Sequence, residues 1–400
     1  MTDPRIYLAI DNCFASKRWT RPAEWTRLIK SLGLSYIEAS ADNECDPLYS
    51  TPGYMEGWIN EVRENCERNE VVIANLYSGH GTYSTLGLGH NDVRIKDRML
   101  EDWLKPMALT AAKVQAGIGF FCHAFSYATM QSPELYKNAE NELLERLASF
   151  AVFCKKAGVK TAGVEQMYSP HQIPWTIKGA EDLLRKIYNM SGCPFYITID
   201  TGHQTGQQKF LRPDSVRIKE FAGSCISHGK IKSLWLGSES ATELLNRMIS
   251  KRENIDENFI NVLKLKMDQV PYMFADVRDG DTFKWLESLG CYSPIIHLQQ
   301  TNGNSSAHWP FDNEHNEHGI IKAEKVFSSI ASSYSRSIDK CMPPECDEIF
   351  LTLEIFSGTA DLYDEILQKV ISSVEYWRQY IPRDGMRLSE IMNGFTTAGT

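Results

Sequence analysis

Four short runs of the chain close on side chains able to ligate a metal ion or carry a proton. "KTAGVE" ends on Glu165, "FYITID" on Asp200 and "FLTLE" on Glu354, while "PIIHLQ" carries His297. Successive side chains of an extended strand point to opposite sides. Thr161, Gly163 and Glu165 therefore oppose Ala162 and Val164, and Tyr196, Thr198 and Asp200 oppose Phe195, Ile197 and Ile199. In the same way Ile295, His297 and Gln299 oppose Ile296 and Leu298, and Phe350, Thr352 and Glu354 oppose Leu351 and Leu353. Each run delivers one ligand-type residue to its less apolar face, near its C-terminal end. Three carboxylates meeting in one place would repel one another and lose their hydration unless something compensates. A divalent cation does so, and oxygen ligands with one imidazole suit Mn²⁺, Mg²⁺, Co²⁺ or Zn²⁺.

The elements that must position these residues alternate along the chain. Strand patterns fall at 6–14, 35–40, 70–78, 114–124, 159–168, 195–200, 293–302 and 348–356. Helical patterns at 21–33, 54–69, 92–113, 132–158 and 179–192 separate the first six, and a final helix covers 360–381. Pro and Gly punctuate several of them, as in "SPELYK…KKAG" at 132–158. Eight strands with intervening helices predict one α/β domain over residues 1–400, a (β/α)8 TIM barrel whose active site forms at the strand C-terminal ends. The regularity breaks at residues 204–292, too long for one helix, which read as a long insertion between strands 6 and 7, either a lid or a structural or oligomerisation insert.

At these residues the sequence resembles the xylose isomerase-like TIM barrels, the sugar phosphate isomerase/epimerase superfamily that also contains endonuclease IV-like nucleases. The marks are "GVEQMYSPHQIPWT", "IDTGH", "IIHLQQT" and "LEIF". The resemblance implies one divalent ion, Mn²⁺ first, held by Glu165, Asp200, His297 and Glu354. It implies that Glu165 and Glu354 also exchange the substrate proton and that His203 contacts substrate oxygens. "FASKRWT" and "HLQQTNGNSSAHWPF" are similar to a branch acting on four-carbon ketose phosphates in erythritol breakdown, which makes erythrulose 1-phosphate 3-epimerase the specific expectation.

The chemistry is coherent in its own terms. Epimerisation beside a carbonyl removes a C–H proton and returns one to the opposite face, so it needs two proton-transfer groups and a stabilised enediolate. A single mobile base would instead serve an aldose–ketose isomerase. A lyase on the same scaffold, decarboxylating an oxo sugar acid or cleaving a C-glycoside, would use the same enolate chemistry. An endonuclease IV-like phosphodiesterase would need more metal ligands and a basic surface. The formal net charge of −9 disfavours nucleic acid and anionic membranes as partners. The expected partner is a small sugar or sugar phosphate, with a homo-oligomer expected by family analogy. Further substrate contacts are expected from His80 and His123 after strands three and four, His171 beyond Glu165, Gln299 on the inward face of strand seven, and His308 beyond it. Lys17 and Arg18 after strand one are the candidate phosphate donors. Ten cysteines without a CxxC pair, and no apolar leader, predict reduced thiols in a cytoplasmic protein.

Overall fold

The computed structural model describes residues 2–79, 81–82, 84–228, 233–253, 255–337 and 339–398. Eight parallel strands form its centre: β1 (Arg5–Asp11), β2 (Tyr36–Ser40), β3 (Val72–Ser78), β4 (Gly117–Phe120), β5 (Ala162–Glu165), β6 (Tyr196–Asp200), β7 (Ile295–Leu298) and β8 (Glu348–Leu353). Each pairs with the next, and β8 returns to β1 through Arg5↔Glu348 to Ile10↔Leu353. The Ala9↔Tyr36 register joins β1 to β2 and closes the barrel. Almost every strand residue is buried, because one face meets the barrel axis and the other the helix layer.

The surrounding helices begin and end where local chemistry dictates. Thr51 caps α1 (Pro52–Asn69) by accepting from the Tyr54 amide, and Pro52 sits at its first position. Ser132 caps α2 (Pro133–Ala157), which stops at Gly158 with φ +81°. Thr176 caps α3 (Ile177–Ser191), which stops at Gly192 with φ +62°.

The segment between β6 and β7 has two parts. Helices α4 (Ser215–His228), α5 (Glu239–Lys251) and α6 (Glu257–Asp268) enclose a small core of their own, including Ile218, Leu245, Ile260 and Met267. This part leans on the segment after β4: Glu239 N donates to Gln131 Oε1 (2.7 Å), and the hydroxyl of Tyr272, just after α6, donates to Met130 O (2.9 Å). The second part, α7 (Thr282–Leu289), belongs to the barrel: it packs between α3 and α8 (Ala323–Tyr334), and Thr282 Oγ1 donates to Thr201 O (2.9 Å). Three of the elements stand beyond the sequence-based expectation. One is α8 itself, a barrel helix between β7 and β8. The other two follow α9 (Tyr363–Arg378), where the chain continues into a two-residue strand, β9 (Met386–Arg387), antiparallel to the start of β1, and then α10 (Leu388–Ala398). No described helix is long and apolar enough to cross a membrane, and all ten cysteines are free thiols.

The barrel interior is layered. Tyr7, Tyr36 and Phe350 fill its N-terminal end with ring centroids 4.7–5.5 Å apart. Higher up, β4 presents Gly117 and Gly119 inward. A Cβ on Gly119 would lie 2.8 Å from Asn75 Nδ2, so the missing side chain leaves room for the neighbouring strand's polar groups to lie across.

Candidate metal and active site

Glu165, Asp200, His297 and Glu354 converge at the C-terminal mouth, one from each of the ends of β5, β6, β7 and β8. One ligand atom from each lies within 4.8 Å of all the others, and all four residues are buried. A cation with ligands at about 2.1 Å separates them by roughly 3 Å in cis and 4.2 Å in trans, so the cluster needs only a slight contraction to close on an ion. Glu354 Oε2 is buried without a hydrogen-bond partner. Three carboxylates, one imidazole and an orphaned carboxylate oxygen fit a hard divalent cation.

Each of these side chains is held from behind. Asp200 Oδ1 accepts from the amides of Gly202 (2.7 Å) and His203 (2.9 Å), which explains the "DTGH" turn. Gln299 Nε2 reaches both Asp200 oxygens (2.8 and 2.9 Å), while its Oε1 accepts from the His308 amide (2.7 Å). His297 Nδ1 lies 3.0 Å from Glu165 Oε1 and 3.6 Å from Glu354 Oε2, and its Nε2 lies 2.8 Å from Glu38 Oε2. The Tyr77 hydroxyl donates to Glu165 Oε2.

Electrostatics separates the two glutamates. Burial alone would push Glu165 up, but His203 and His297 outweigh it and hold the carboxyl below its usual range. Glu354 is pushed well above the usual range by burial, and then by Asp200 and Glu165, against the pull of His297. Asp200 is held low despite burial by His203 and His308. Burial would push His297 down, yet Glu38, Glu354 and Glu165 hold it well above the ordinary imidazole value. The Tyr77 phenol is pushed far up by burial and the adjacent Glu165.

A cavity of about 260 Å³ opens directly over the cluster, with Tyr77, Glu165, Tyr168, His203, His308 and Glu354 in its wall. His203 donates from Nδ1 to Gln166 O (2.8 Å) and stands edge-on to Tyr168. His308, at φ +47°, stacks on Phe356 at 3.8 Å between centroids and brings Nδ1 to 3.4 Å from Glu354 Oε2. The other expected contacts lie elsewhere. His123 is buried behind the mouth, donating from Nε2 to Ile173 O, and burial pushes it down to about 4. His171 Nδ1 donates to Phe125 O (3.0 Å) and faces a separate cavity beside Trp235 of the insertion. Lys17 is exposed, and the Arg18 guanidinium donates to the carbonyls of Gly358 (2.8 Å) and Asp361 (3.0 Å) in the loop after β8. His80 falls outside the described residues. None of the described residues of the insertion lines the cavity over the cluster.

Three participants escaped the sequence reading in role: Glu38, Asn75 and Tyr77. The alternation that exposed the four ligands would have found them. In "YIEAS" and "VIANLYS" the polar members Glu38, Asn75 and Tyr77 all fall on inward positions of apolar strands.

A profile described as "Xylose isomerase-like TIM barrel" matches residues 26–264. No curated protein matches the chain. Among solved structures, a protein of Rhodospirillum rubrum named for xylose isomerase superposes with a TM-score of 0.66 at 16% identity, covering 94% of this chain and 99% of its own. D-psicose 3-epimerase, solved in the presence of D-fructose, gives 0.54 at 10% identity over 93% and 98%. L-ribulose 3-epimerase gives 0.53 at 12% identity over 99% and 98%. At these identities the likeness is one of fold.

Proposed function

We propose that this chain, which belongs to the xylose isomerase-like TIM barrel family, is a divalent-metal-dependent 3-epimerase of a small ketose or ketose phosphate. The observation that carries the reading is the pair Glu165 and Glu354. They enter one cavity from β5 and β8, with β6 and β7 between them, and share a cluster that fits a cation. The 3-epimerases of similar fold act on ketoses, which supports the substrate class. The cavity suits a sugar of roughly four to six carbons.

With the substrate lying between the glutamates, one carboxylate takes the proton from C3, beside the carbonyl. The other returns a proton to the opposite face of the same carbon. Glu165, Asp200, His297 and Glu354 would hold a divalent ion, which would supply positive charge against the negative charge that builds on oxygen as the proton leaves. His203 and His308 face the cavity and offer hydrogen bonds to hydroxyls. Tyr77 fixes the orientation of Glu165 through its hydroxyl. Tyr77→Phe removes that hydrogen bond to a charged group and should slow turnover roughly tenfold to a hundredfold; unchanged single-turnover kinetics would remove Tyr77 from the machinery.

The test of the reaction is incubation with Mn²⁺ and a panel of free and 1-phosphorylated ketoses in D₂O, erythrulose 1-phosphate among them. Deuterium at C3 with formation of the C3 epimer is the expected result. Label at C1 or C2 would make the enzyme an aldose–ketose isomerase, release of CO₂ would make it a lyase, and no exchange on any ketose would overturn the reading.

A further inference from the structure

Glu38 lies outside the four-ligand set, yet it is as deeply buried as any member of it, at 0% exposure. Its two oxygens have separate partners. Oε2 faces His297 Nε2 at 2.8 Å, and Oε1 accepts from Asn75 Nδ2 at 2.6 Å. On the far side of the same ring, His297 Nδ1 faces Glu165 and Glu354. Tyr77 meets the ring edge-on, with centroids 5.1 Å apart at 85°, and its hydroxyl reaches Glu165. Asn75, Glu38, His297, Glu165 and Tyr77 thus form a closed circuit across the barrel, beginning and ending on β3.

We infer that Glu38 is the positioning residue that fixes His297 as an Nδ1 metal ligand. The inference rests on the reading that the cluster holds a cation. An imidazole nitrogen that gives its lone pair to a metal carries no proton, so the ring's proton must reside on the other nitrogen. A carboxylate only accepts, so Glu38 Oε2 dictates that His297 Nε2 carries the proton and leaves Nδ1 free to ligate. Asn75 holds the second Glu38 oxygen and so sets the carboxylate plane. That amide has space only because Gly117 and Gly119 of β4 present no side chain inward: a Cβ on either would lie 2.8 Å from an Asn75 amide atom. The circuit also links β2 and β3, which supply no ligand, to the metal through His297.

The test is calorimetric titration of the chelator-stripped full chain with Mn²⁺, comparing the wild type with Glu38→Gln. In the variant, the Asn75 amide draws the new carboxamide oxygen and turns its NH₂ toward His297 Nε2, which favours the wrong ring tautomer. Mn²⁺ binding weaker by about tenfold to a hundredfold is expected, with an unchanged far-ultraviolet spectrum. Equal affinity in variant and wild type would overturn the role of Glu38 while leaving the metal reading intact. No binding by the wild type would overturn the metal reading itself. A second measurement reads the wild type itself: long-range ¹H–¹⁵N spectra of the Zn²⁺-loaded, ¹⁵N-histidine-labelled protein. They should show the ring signal lost in His297→Asn with its proton on Nε2 and its metal on Nδ1, and the reverse pattern would overturn the inference.

Discussion

Glu165→Gln and Glu354→Gln should each reduce exchange of the substrate's C3 proton by about a thousandfold or more at saturating metal, within the range set by removing a positioned proton-transfer group. The amide keeps the shape of the carboxyl and most of its hydrogen bonds but can neither take nor return a proton. Saturating metal matters because each substitution also removes an anionic ligand, and a loss that disappears with more Mn²⁺ would be a binding defect. The two variants should differ in stability without metal, because the glutamates sit in opposite electrostatic states. Burial and its acidic neighbours hold Glu354 well above the usual carboxyl range, so a neutral amide suits its surroundings better than it suits those of Glu165. The Glu354 variant should unfold within about 1 kcal/mol of the wild type. Glu165 is held ionised against its burial by His203 and His297. Its variant leaves a buried imidazolium short of a partner, and breaking such a pair costs about 3–5 kcal/mol. Urea unfolding of the two metal-free variants reads the difference directly, and equal loss in both would refute the assignment of charge.

Much of this site was legible in the sequence because a barrel strand obeys alternation strictly. Once the apolar members of "YITID" are assigned to the helix layer, Asp200 has only the axis to face. What alternation does not reveal is reach. Tyr77 belongs to β3, yet its hydroxyl meets a carboxylate on β5, and it crosses because the intervening β4 shows only Gly117 and Gly119 to the interior. That relation exists between strands and has no trace within either one. Arg18 shows the same limit from the other side. It follows β1 at the correct end of the barrel, but its guanidinium is taken up by carbonyls about 340 residues away. The run "DTFKWLESLG" falls within the stretch read as an insertion; its place as the barrel's own sixth helix became visible only through its packing on α8. A two-residue strand such as β9 carries no periodicity at all.

Removal of the metal should abolish exchange, and Mn²⁺ or Co²⁺ should restore it; the pH dependence of that rebinding tests the site more deeply. In the metal-free protein both Glu354 and His297 are held well above their ordinary values, so both keep their protons to higher pH than free groups do, and ligation must displace them. Mn²⁺ binding should therefore release protons and strengthen as pH rises. Calorimetry in two buffers of different ionisation enthalpy counts them. Stability should move the opposite way without metal. A group whose folded value is raised stabilises the fold while it is protonated, and that contribution disappears as pH climbs from the unfolded value through the folded one. For His297 the decline begins near pH ~6.5 and for Glu354 near pH ~4.3, so the metal-free protein should lose stability steadily from mildly acidic pH upward. In the loaded protein the ion's charge takes the place of those protons, and its melting temperature should hold across the same range. A metal-free protein whose stability is flat with pH, or Mn²⁺ binding that releases no protons, would mean that the four carboxyl and imidazole groups do not share the crowded charge balance from which the metal site is inferred.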